Sequence, residues 1–168
     1  MLIILFTVGT LMLGLVNREM TVEGETEVFA TRARAWDTYL DTTYWARWKT
    51  NEARIEWLQG QRMEEGSSWR IVPSKSEPLE ERISGWIQDS QLIFDGHVGP
   101  LAHQRIVTFE LADGKSRIKE EVTWKASTFF ENISLNFNKA SLGKSIEIRL
   151  DSLKQWIDVE SKEVEEVY

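Results

Sequence analysis

The sequence contains no cysteine and only two histidines, His97 and His103, among its 168 residues. Without cysteine the chain forms no disulfide and offers no thiolate for nucleophilic chemistry. Two histidines and no cysteine also exclude a histidine-rich or Cys/His metal site, so we expect no metal and no cofactor. Gly-x-Ser-x-Gly, a glycine-rich phosphate loop and His-Glu-x-x-His are all missing, which removes the common hydrolase and phosphate-binding motifs.

Positive charge is scarce, because 20 lysines and arginines stand against 27 aspartates and glutamates and leave a formal net charge of −7. Proteins that bind a phosphate backbone need the opposite balance, so we expect no nucleic-acid partner. Hydrophobic residues make up 42% of the chain and include 8 tryptophans. This composition supports one domain with a substantial core.

Charge is completely missing from residues 1–16. As a helix this segment would reach about 24 Å, which is short of a hydrocarbon layer of roughly 30 Å. We interpret it as a membrane anchor, as a start-site artefact if Met20 is the true first residue, or as a core or partner-binding segment. All 20 lysines and arginines follow it. The positive-inside rule therefore predicts a cytoplasmic domain, tethered to the inner face of the membrane if the segment is an anchor.

Residues 21–30 alternate between glutamates and small or apolar side chains, which is the period of a half-buried strand. Six later runs of strand-like residues follow, with turn signals but no helical pattern between them. They cover residues 54–58, 68–72, 79–87, 91–98, 102–111 and 115–125. Short strands at this spacing indicate an antiparallel meander. In the fourth strand the alternation would place Glu81, Ile83 and Ile87 on one face.

The dipeptide Asp113-Gly114 sets the register of the last hairpin, because it favours a two-residue type I′ turn. Ala112 then faces Lys115, and every further pair follows from that one. In this register the apolar residues of the two strands lie on the same face, which independently supports it.

Three polar residues share that apolar, concave face: His103, Arg105 and Glu120. A diagonal contact between Arg105 and Glu120 is within reach of their long side chains. One interpretation is a polar cluster in an apolar pocket that orients a ligand carbonyl or phenol. The other is a structural ion pair that closes the end of the sheet, because buried charges need partners.

Residues 134–160 show the pattern of a long amphipathic helix. Its apolar stripe consists of residues spaced by three or four, namely Leu142, Ile146, Leu150, Leu153 and Ile157. Such a helix spans roughly 40 Å, and Gly143 would loosen it. We expect the acidic residues 161–168 to form a frayed tail.

The stretch 30–48 predicts two short helices after the first strand. Thr31 can cap the first helix. Ala33, Trp36 and Leu40 are spaced to share one face, and Ala35 and Tyr39 widen that stripe. The second short helix presents the aromatic residues Tyr44, Trp45 and Trp48.

Trp36, Asp41 and Trp48, in this order after a first strand, resemble the entry segment of the START-like superfamily, also called SRPBCC. The closest group is the polyketide cyclase/dehydrase-like one. The resemblance implies an α+β helix-grip fold, in which a seven-strand antiparallel sheet curls around a long C-terminal helix and two small helices follow strand 1. It also implies a deep cavity between sheet and helix, commonly for hydrophobic ligands. The expected divisions are a hydrophobic segment at 1–16, the START-like domain at 21–160 and an acidic tail at 161–168.

This resemblance leads us to expect a non-enzymatic protein that binds or carries a hydrophobic small molecule in the cavity, such as a lipid, quinone, isoprenoid or polyketide-like compound. The expected ligand-binding residues are His103, Arg105, Glu120, Phe109, Trp124, Trp69 and Leu150. One alternative is a cyclase- or dehydratase-type enzyme that uses His103 with Arg105 and Glu120. Another is a protein-interaction module whose cavity is filled by side chains. No motif identifies a catalytic residue.

Overall fold

The computed structural model describes residues 19–42, 54–73 and 77–165. Within these ranges the chain forms one sheet and two helices. The strands are β1 (Glu19–Val28), β2 (Arg54–Gln59), β3 (Ser68–Val72), β4 (Leu79–Ile87), β5 (Gln91–Val98), β6 (Leu101–Ala112) and β7 (Lys115–Lys125). The helices are α1 (Arg32–Leu40) and α2 (Phe129–Glu165). The predicted α+β helix-grip architecture, with a long C-terminal helix against a seven-strand sheet, is confirmed.

Two expectations fall outside the described residues. The uncharged segment 1–16 is one, and the second short helix, with Tyr44, Trp45 and Trp48, is the other. Within the described ranges, no helix is both long and apolar enough to cross a membrane.

The sheet has the order β1-β7-β6-β5-β4-β3-β2, and all its neighbours are antiparallel. The predicted meander is therefore correct, with β1 added beside β7. The hairpin of β6 and β7 has the predicted register, with Ala112 opposite Lys115 and His103 opposite Trp124. Asp113 and Gly114 both have positive φ, of 50° and 79°, as a type I′ turn requires.

Helix α1 begins as predicted, since the Thr31 hydroxyl accepts a hydrogen bond from the backbone N–H of Arg34 at 3.3 Å. Its buried face agrees with the predicted one except at Ala33. Ala35, Trp36 and Tyr39 are buried, whereas Ala33 is exposed. The inward face thus includes Tyr39, as predicted, and this brings the tyrosine hydroxyl into the interior.

Strand β4 departs from strict alternation. Its pairing with β5 shifts between Ile83 and Gly85, which is the signature of a β-bulge. After the shift Ile87 is 58% exposed, while Trp86 packs edge-on against Trp36 with ring centroids 5.0 Å apart. The prediction that Ile87 shares the face of Ile83 is therefore wrong.

Helix α2 is longer than predicted at both ends. It begins at Phe129 because Thr128 and Glu131 form a capping box. The Glu131 carboxylate accepts from the Thr128 N–H at 3.1 Å, and the Thr128 hydroxyl accepts from the Glu131 N–H at 3.3 Å. At the other end the helix runs past residue 160 to Glu165, where a frayed tail was expected.

The apolar stripe of α2 is buried as predicted at Ile146, Leu150, Leu153 and Ile157. Helix α2 packs mainly against β1. A Cβ placed on Gly24 of β1 would lie 2.8 Å from Cγ2 of Ile146, so the absence of a side chain there permits the close approach of helix and strand.

Candidate functional site

A cluster of charged side chains lies in the interior around Arg105 of β6, whose side chain is 3% exposed. Its Nε donates to Oε1 of Glu81 at 2.9 Å, and its Nη2 donates to Oε2 of Glu81 at 2.6 Å. Nη1 donates to the Tyr39 hydroxyl at 2.6 Å. The guanidinium also lies 4.0 Å from the centroid of the Phe94 ring. This bidentate pairing fixes Arg105 and Glu81 as one rigid unit.

A second ion pair joins the sheet to α2. Glu120 of β7 is fully buried, and its carboxylate accepts hydrogen bonds from Nη2 and Nε of Arg149, the latter at 3.3 Å. The two pairs touch, because Nη1 of Arg105 is 4.0 Å from Oε1 of Glu120. Two guanidiniums thus balance two carboxylates, as buried charges require.

His103 of β6 lies beside these pairs, and its side chain is 3% exposed. Its Nε2 is 3.4 Å from Oε1 of Glu81, and its ring packs on Trp124 with centroids 4.7 Å apart. The ring fits because its cross-strand partner is Gly96. A Cβ on Gly96 would lie 2.5 Å from Cε1 of His103 and 2.4 Å from the carbonyl oxygen of Glu80. Nδ1 of His103 has no hydrogen-bond partner among the described residues.

Burial and charge act on the cluster in definite directions. Burial raises the pKa of Tyr39, and the nearby carboxylates of Glu120 and Glu81 add to the rise, against the opposing effect of Arg105. Burial disfavours the charged form of Arg105, but Glu81, Tyr39 and Glu120 outweigh it and raise the pKa of the guanidinium. At neutral pH the tyrosine is therefore a neutral hydroxyl and the arginine a cation.

A cavity of about 80 Å³ adjoins this cluster between the sheet and α2. Its apolar lining comes from both layers of the fold and consists of Val22, Leu79, Val98, Val122, Trp124, Leu142 and Ile146. Its polar lining consists of Glu81, His103, Arg105, Ser145 and Arg149. Ser145 is exposed, so the cavity reaches the surface along α2.

The structure brings three of the predicted site residues to this cavity, namely His103, Arg105 and Trp124. Glu120 lies next to it and contacts Arg149 of the lining. The other three predicted residues, Phe109, Trp69 and Leu150, are buried in the core but do not line this cavity.

The predicted partner of Arg105 needs correction. The main partner is Glu81, at 2.6 and 2.9 Å, and Glu120 is only a distant second at 4.0 Å. Glu120 pairs instead with Arg149. Sequence reasoning considered only diagonal contacts within the last hairpin, whereas Glu81 extends from β4 across Gly96 of β5 to reach β6.

Glu81, Arg149 and Tyr39 are the cluster residues that sequence reasoning did not select. Glu81 did carry a signal, because the alternation of β4 placed this carboxylate on the apolar face with Ile83. Arg149 directly precedes Leu150 of the buried stripe. Within the described ranges, no group of three or more His, Cys, Asp or Glu side chains could hold a metal ion.

No protein-family model matches the sequence, and no curated protein matches it. Solved structures do match. A hypothetical protein from Helicobacter pylori superimposes with a TM-score of 0.69 and 13% identity over 82% of this chain and 88% of its own. DynU16, a protein in the dynemicin biosynthetic locus, gives 0.63 and 15% over 81% of this chain and 46% of its own. The Aha1 dimer from Colwellia psychrerythraea gives 0.62 and 11% over 83% and 97%.

DynU16 and Aha1 are helix-grip proteins, and the resemblance first noted in the entry segment around Trp36 and Asp41 is confirmed at the level of the fold. Sequence identities this low show that the folds are alike, but they do not show that the activities are alike. This chain has the helix-grip fold of the START-like, or SRPBCC, superfamily.

Proposed function

We propose that the protein binds a small molecule with an apolar body and a polar end in the cavity between the sheet and α2. The observation that carries this proposal is the composition of the cavity wall. Apolar side chains from both layers surround it, and His103, Arg105 and Arg149 converge on one part of it. An apolar pocket with a few convergent polar groups is the usual form of a small-molecule site.

The size of the cavity limits which part of a ligand enters. Its volume of about 80 Å³ is well below the roughly 300–1,000 Å³ of typical ligand pockets. A group of a few non-hydrogen atoms fits beside the polar cluster. The remainder of the ligand then lies at the half-buried rim, which consists of Leu79, Val98, Trp124 and Leu142.

The polar residues divide into two roles in this proposal. His103, Trp124 and Arg149 contact the ligand, because they line the cavity and Arg149 is the most accessible of the charged groups, with 20% of its side chain exposed. Arg105 positions Glu81 and Tyr39 rather than the ligand, because three of its nitrogens already donate to them. Glu120 positions Arg149 in the same way. Phe109, Trp69 and Leu150 form the surrounding core.

The fold supports a ligand-binding role in general terms, because the superfamily that the entry segment resembles commonly binds hydrophobic ligands. A protein in the dynemicin biosynthetic locus shares the fold.

A second candidate is a protein-interaction module with a filled interior. The part of the interior beneath α1 is occupied by fully buried aromatic rings, namely Trp36, Trp69, Tyr39, Phe94 and Phe109. Trp36 and Tyr39 pack edge-on against Phe109 with ring centroids 5.3 and 5.5 Å apart. If the cavity by the polar cluster binds nothing, this candidate replaces the first.

The test is native mass spectrometry of the purified protein, with identification of any small molecule released on denaturation. We expect a bound molecule that Val98→Phe, which fills the rim of the cavity, displaces. Ile106→Phe is the matched control, because Ile106 is also a half-buried β-branched residue of the sheet but does not line the cavity. A molecule retained equally by both variants, or none in any preparation, would contradict the proposal.

A further inference from the structure

We propose that the exposed side of the first half of α2 docks on an anionic lipid bilayer. This docking surface consists of Phe130, Phe137, Lys144 and Ile148. The inference goes beyond the proposed function and does not depend on a ligand in the cavity.

The docking surface is apolar and aromatic although it faces outward. Phe130 and Phe137 are 80% and 78% exposed, and Ile148 is 58% exposed. Seven and eleven residues separate them, which is close to two and three turns of an α-helix, so the three side chains lie on one side of α2. Lys144 follows Phe137 by seven residues, so it lies on the same side, and it is also exposed. Exposed aromatic residues beside lysine are typical of helices that lie in a membrane interface.

The docking surface is level with the start of β1, because β1 and α2 run side by side in the same direction. Asp158 accepts a hydrogen bond from the backbone N–H of Phe29 at 2.8 Å, and Ile146 lies against Gly24. Phe137 precedes Ile146 by nine residues, about 14 Å along a helix. The first residue of β1 precedes Gly24 by five residues, about 17 Å along a strand.

The chain that enters β1 at this level contains the uncharged residues 1–16. Only two residues separate this segment from β1, so covalent continuity holds it at the same end of the molecule as the exposed phenylalanines. The cavity opens at this end as well, along Leu142 and Ser145 of α2. A strongly apolar segment and an exposed aromatic face at one end of a protein together point to a lipid surface.

Charge favours a bilayer over the two other possible occupants, which are residues 1–16 themselves and a second copy of the surface. Between residues 132 and 146 the only charged side chains are Lys139 and Lys144, and both are exposed. Residues 1–16 offer no carboxylate to pair with them, and a second copy would set lysine against lysine. Anionic headgroups attract the lysines, while the acyl region receives the phenylalanines.

The experiment uses the full chain in lipid vesicles, with an environment-sensitive fluorophore on one introduced cysteine. The labelling is selective because the chain has no cysteine of its own. Ser141→Cys places the label between Phe137 and Lys144. Leu111→Cys is the control, because Leu111 is exposed and lies at the other end of the sheet, beside the strand pair that ends β1 at Val28. We expect the label at position 141 alone to shift to the blue when phosphatidylglycerol is added to phosphatidylcholine vesicles.

Three further substitutions in the Ser141→Cys background test the contributing side chains. Phe137→Ser should lower the ratio of docked to undocked protein about fivefold or more, because an aromatic ring no longer enters the bilayer. Lys144→Gln should lower it about fivefold, the contribution of one lysine near an anionic surface. Leu111→Ser is the matched control, since Leu111 is 71% exposed, and it should leave the ratio unchanged.

Equal emission of the label at position 141 in both kinds of vesicle would overturn the inference, because the surface would then face water or be covered by residues 1–16 or a second copy. Equal responses at positions 141 and 111 would overturn it too, as would unchanged docking in Phe137→Ser or Lys144→Gln. None of these results bears on the proposed function, which the displacement of a bound molecule by Val98→Phe tests separately.

Discussion

At the scale of single residues, Arg105 and Glu81 depend on each other. Both side chains are almost completely buried, and the guanidinium and carboxylate are paired through two hydrogen bonds. Removing one partner from such a pair leaves an uncompensated charge in the interior, which costs far more than the net value of the pair. Substitutions at either position therefore act on stability before they act on binding.

We predict that Arg105→Met lowers the free energy of unfolding by about 3–5 kcal/mol in urea denaturation, because Glu81 loses its partner. The matched control is Arg70→Met. Arg70 donates to Glu80 at 2.8 Å on the other face of the sheet, with side chains that are 39% and 27% exposed. This partly exposed pair should contribute less than about 1 kcal/mol. Equal losses in the two variants would show that Arg105 is not in a dry interior.

Tyr39 should make the protein lose stability at alkaline pH. Its pKa in the folded state is raised by burial, whereas in the unfolded chain it titrates near its ordinary value of about 10. Above that value the unfolded chain releases the proton and the folded chain keeps it, so stability falls as pH rises. Tyr39→Phe should show a smaller fall between about pH 9 and 11 in urea denaturation. If the free energy of unfolding of Tyr39→Phe depended on pH in the same way as that of the unaltered protein, the Tyr39 hydroxyl would be in contact with water.

The sequence alone predicted which of these residues face the interior, but not which residues they pair with. Alternation along β6 and β7 placed His103, Arg105 and Glu120 inside, because a strand has two faces and only one was apolar. Partners on other elements could not be assigned. Glu81 reaches Arg105 across Gly96 of the intervening strand β5, and Arg149 reaches Glu120 from α2. The spacing of residues within one element predicts neither contact.

At the scale of elements, α2 contains a segment next to the cavity that packing against the rest of the protein does little to stabilise. Residues 136–141 are all exposed although they are helical. The amide groups of Asn136 and Asn138 donate to the carbonyl oxygens of Asn132 and Ser134, a local bonding that competes with helical structure. Gly143 follows, and a Cβ added there would meet no atom within 4 Å other than its chain neighbours and the backbone of the helix itself. This part of the helix borders the mouth of the cavity at Leu142 and Ser145.

Gly143→Ala should stabilise the protein by about 0.5–1 kcal/mol, the difference between alanine and glycine in a helix. No atom outside the chain neighbours and the backbone of the helix lies within 4 Å of the added Cβ, so no steric cost offsets the gain. Gly24→Ala is the contrasting variant and should destabilise, because its Cβ would lie 2.8 Å from Ile146. Urea denaturation measures both. Destabilisation by Gly143→Ala would mean that the helix is interrupted there.

Helix α1 contributes its stability mainly through Trp36, which is 1% exposed and packs against Trp86 and Phe109. We predict that Trp36→Ala lowers the free energy of unfolding by about 3–5 kcal/mol. Phe130→Ala serves as the comparison, because Phe130 is 80% exposed and should change stability by no more than about 0.5 kcal/mol. A loss below about 1 kcal/mol in Trp36→Ala would contradict the packing of α1.

Elements were predictable where a periodic pattern or a turn motif determined them. The Asp113-Gly114 turn and the stripe of α2 are examples. The bulge before Gly85 was not predicted, although a glycine inside a strand is a common signal of one, and the extra residue reverses the faces that follow it. The start of α2 could have been predicted from the sequence, since Thr128 and Glu131 have the spacing of a capping box.

At the scale of the whole molecule, the sheet and α2 enclose two different environments. Beneath α1 the interior is filled by aromatic rings, and no space for a ligand is needed to explain it. Between α2 and strands β1, β4, β5, β6 and β7, apolar walls surround a small cavity whose polar groups are held by two ion pairs. The central claim is that the second environment binds a ligand.

The most direct test is a methyl NMR titration of the unaltered protein with cyclopentanol. We predict saturable shifts for the methyl groups of Val22, Val122 and Ile146, which line the cavity. The methyl groups of Val107, which is buried but outside the cavity, should not shift. Shifts confined to exposed residues, or none that saturate at Val122 and Ile146, would contradict the account.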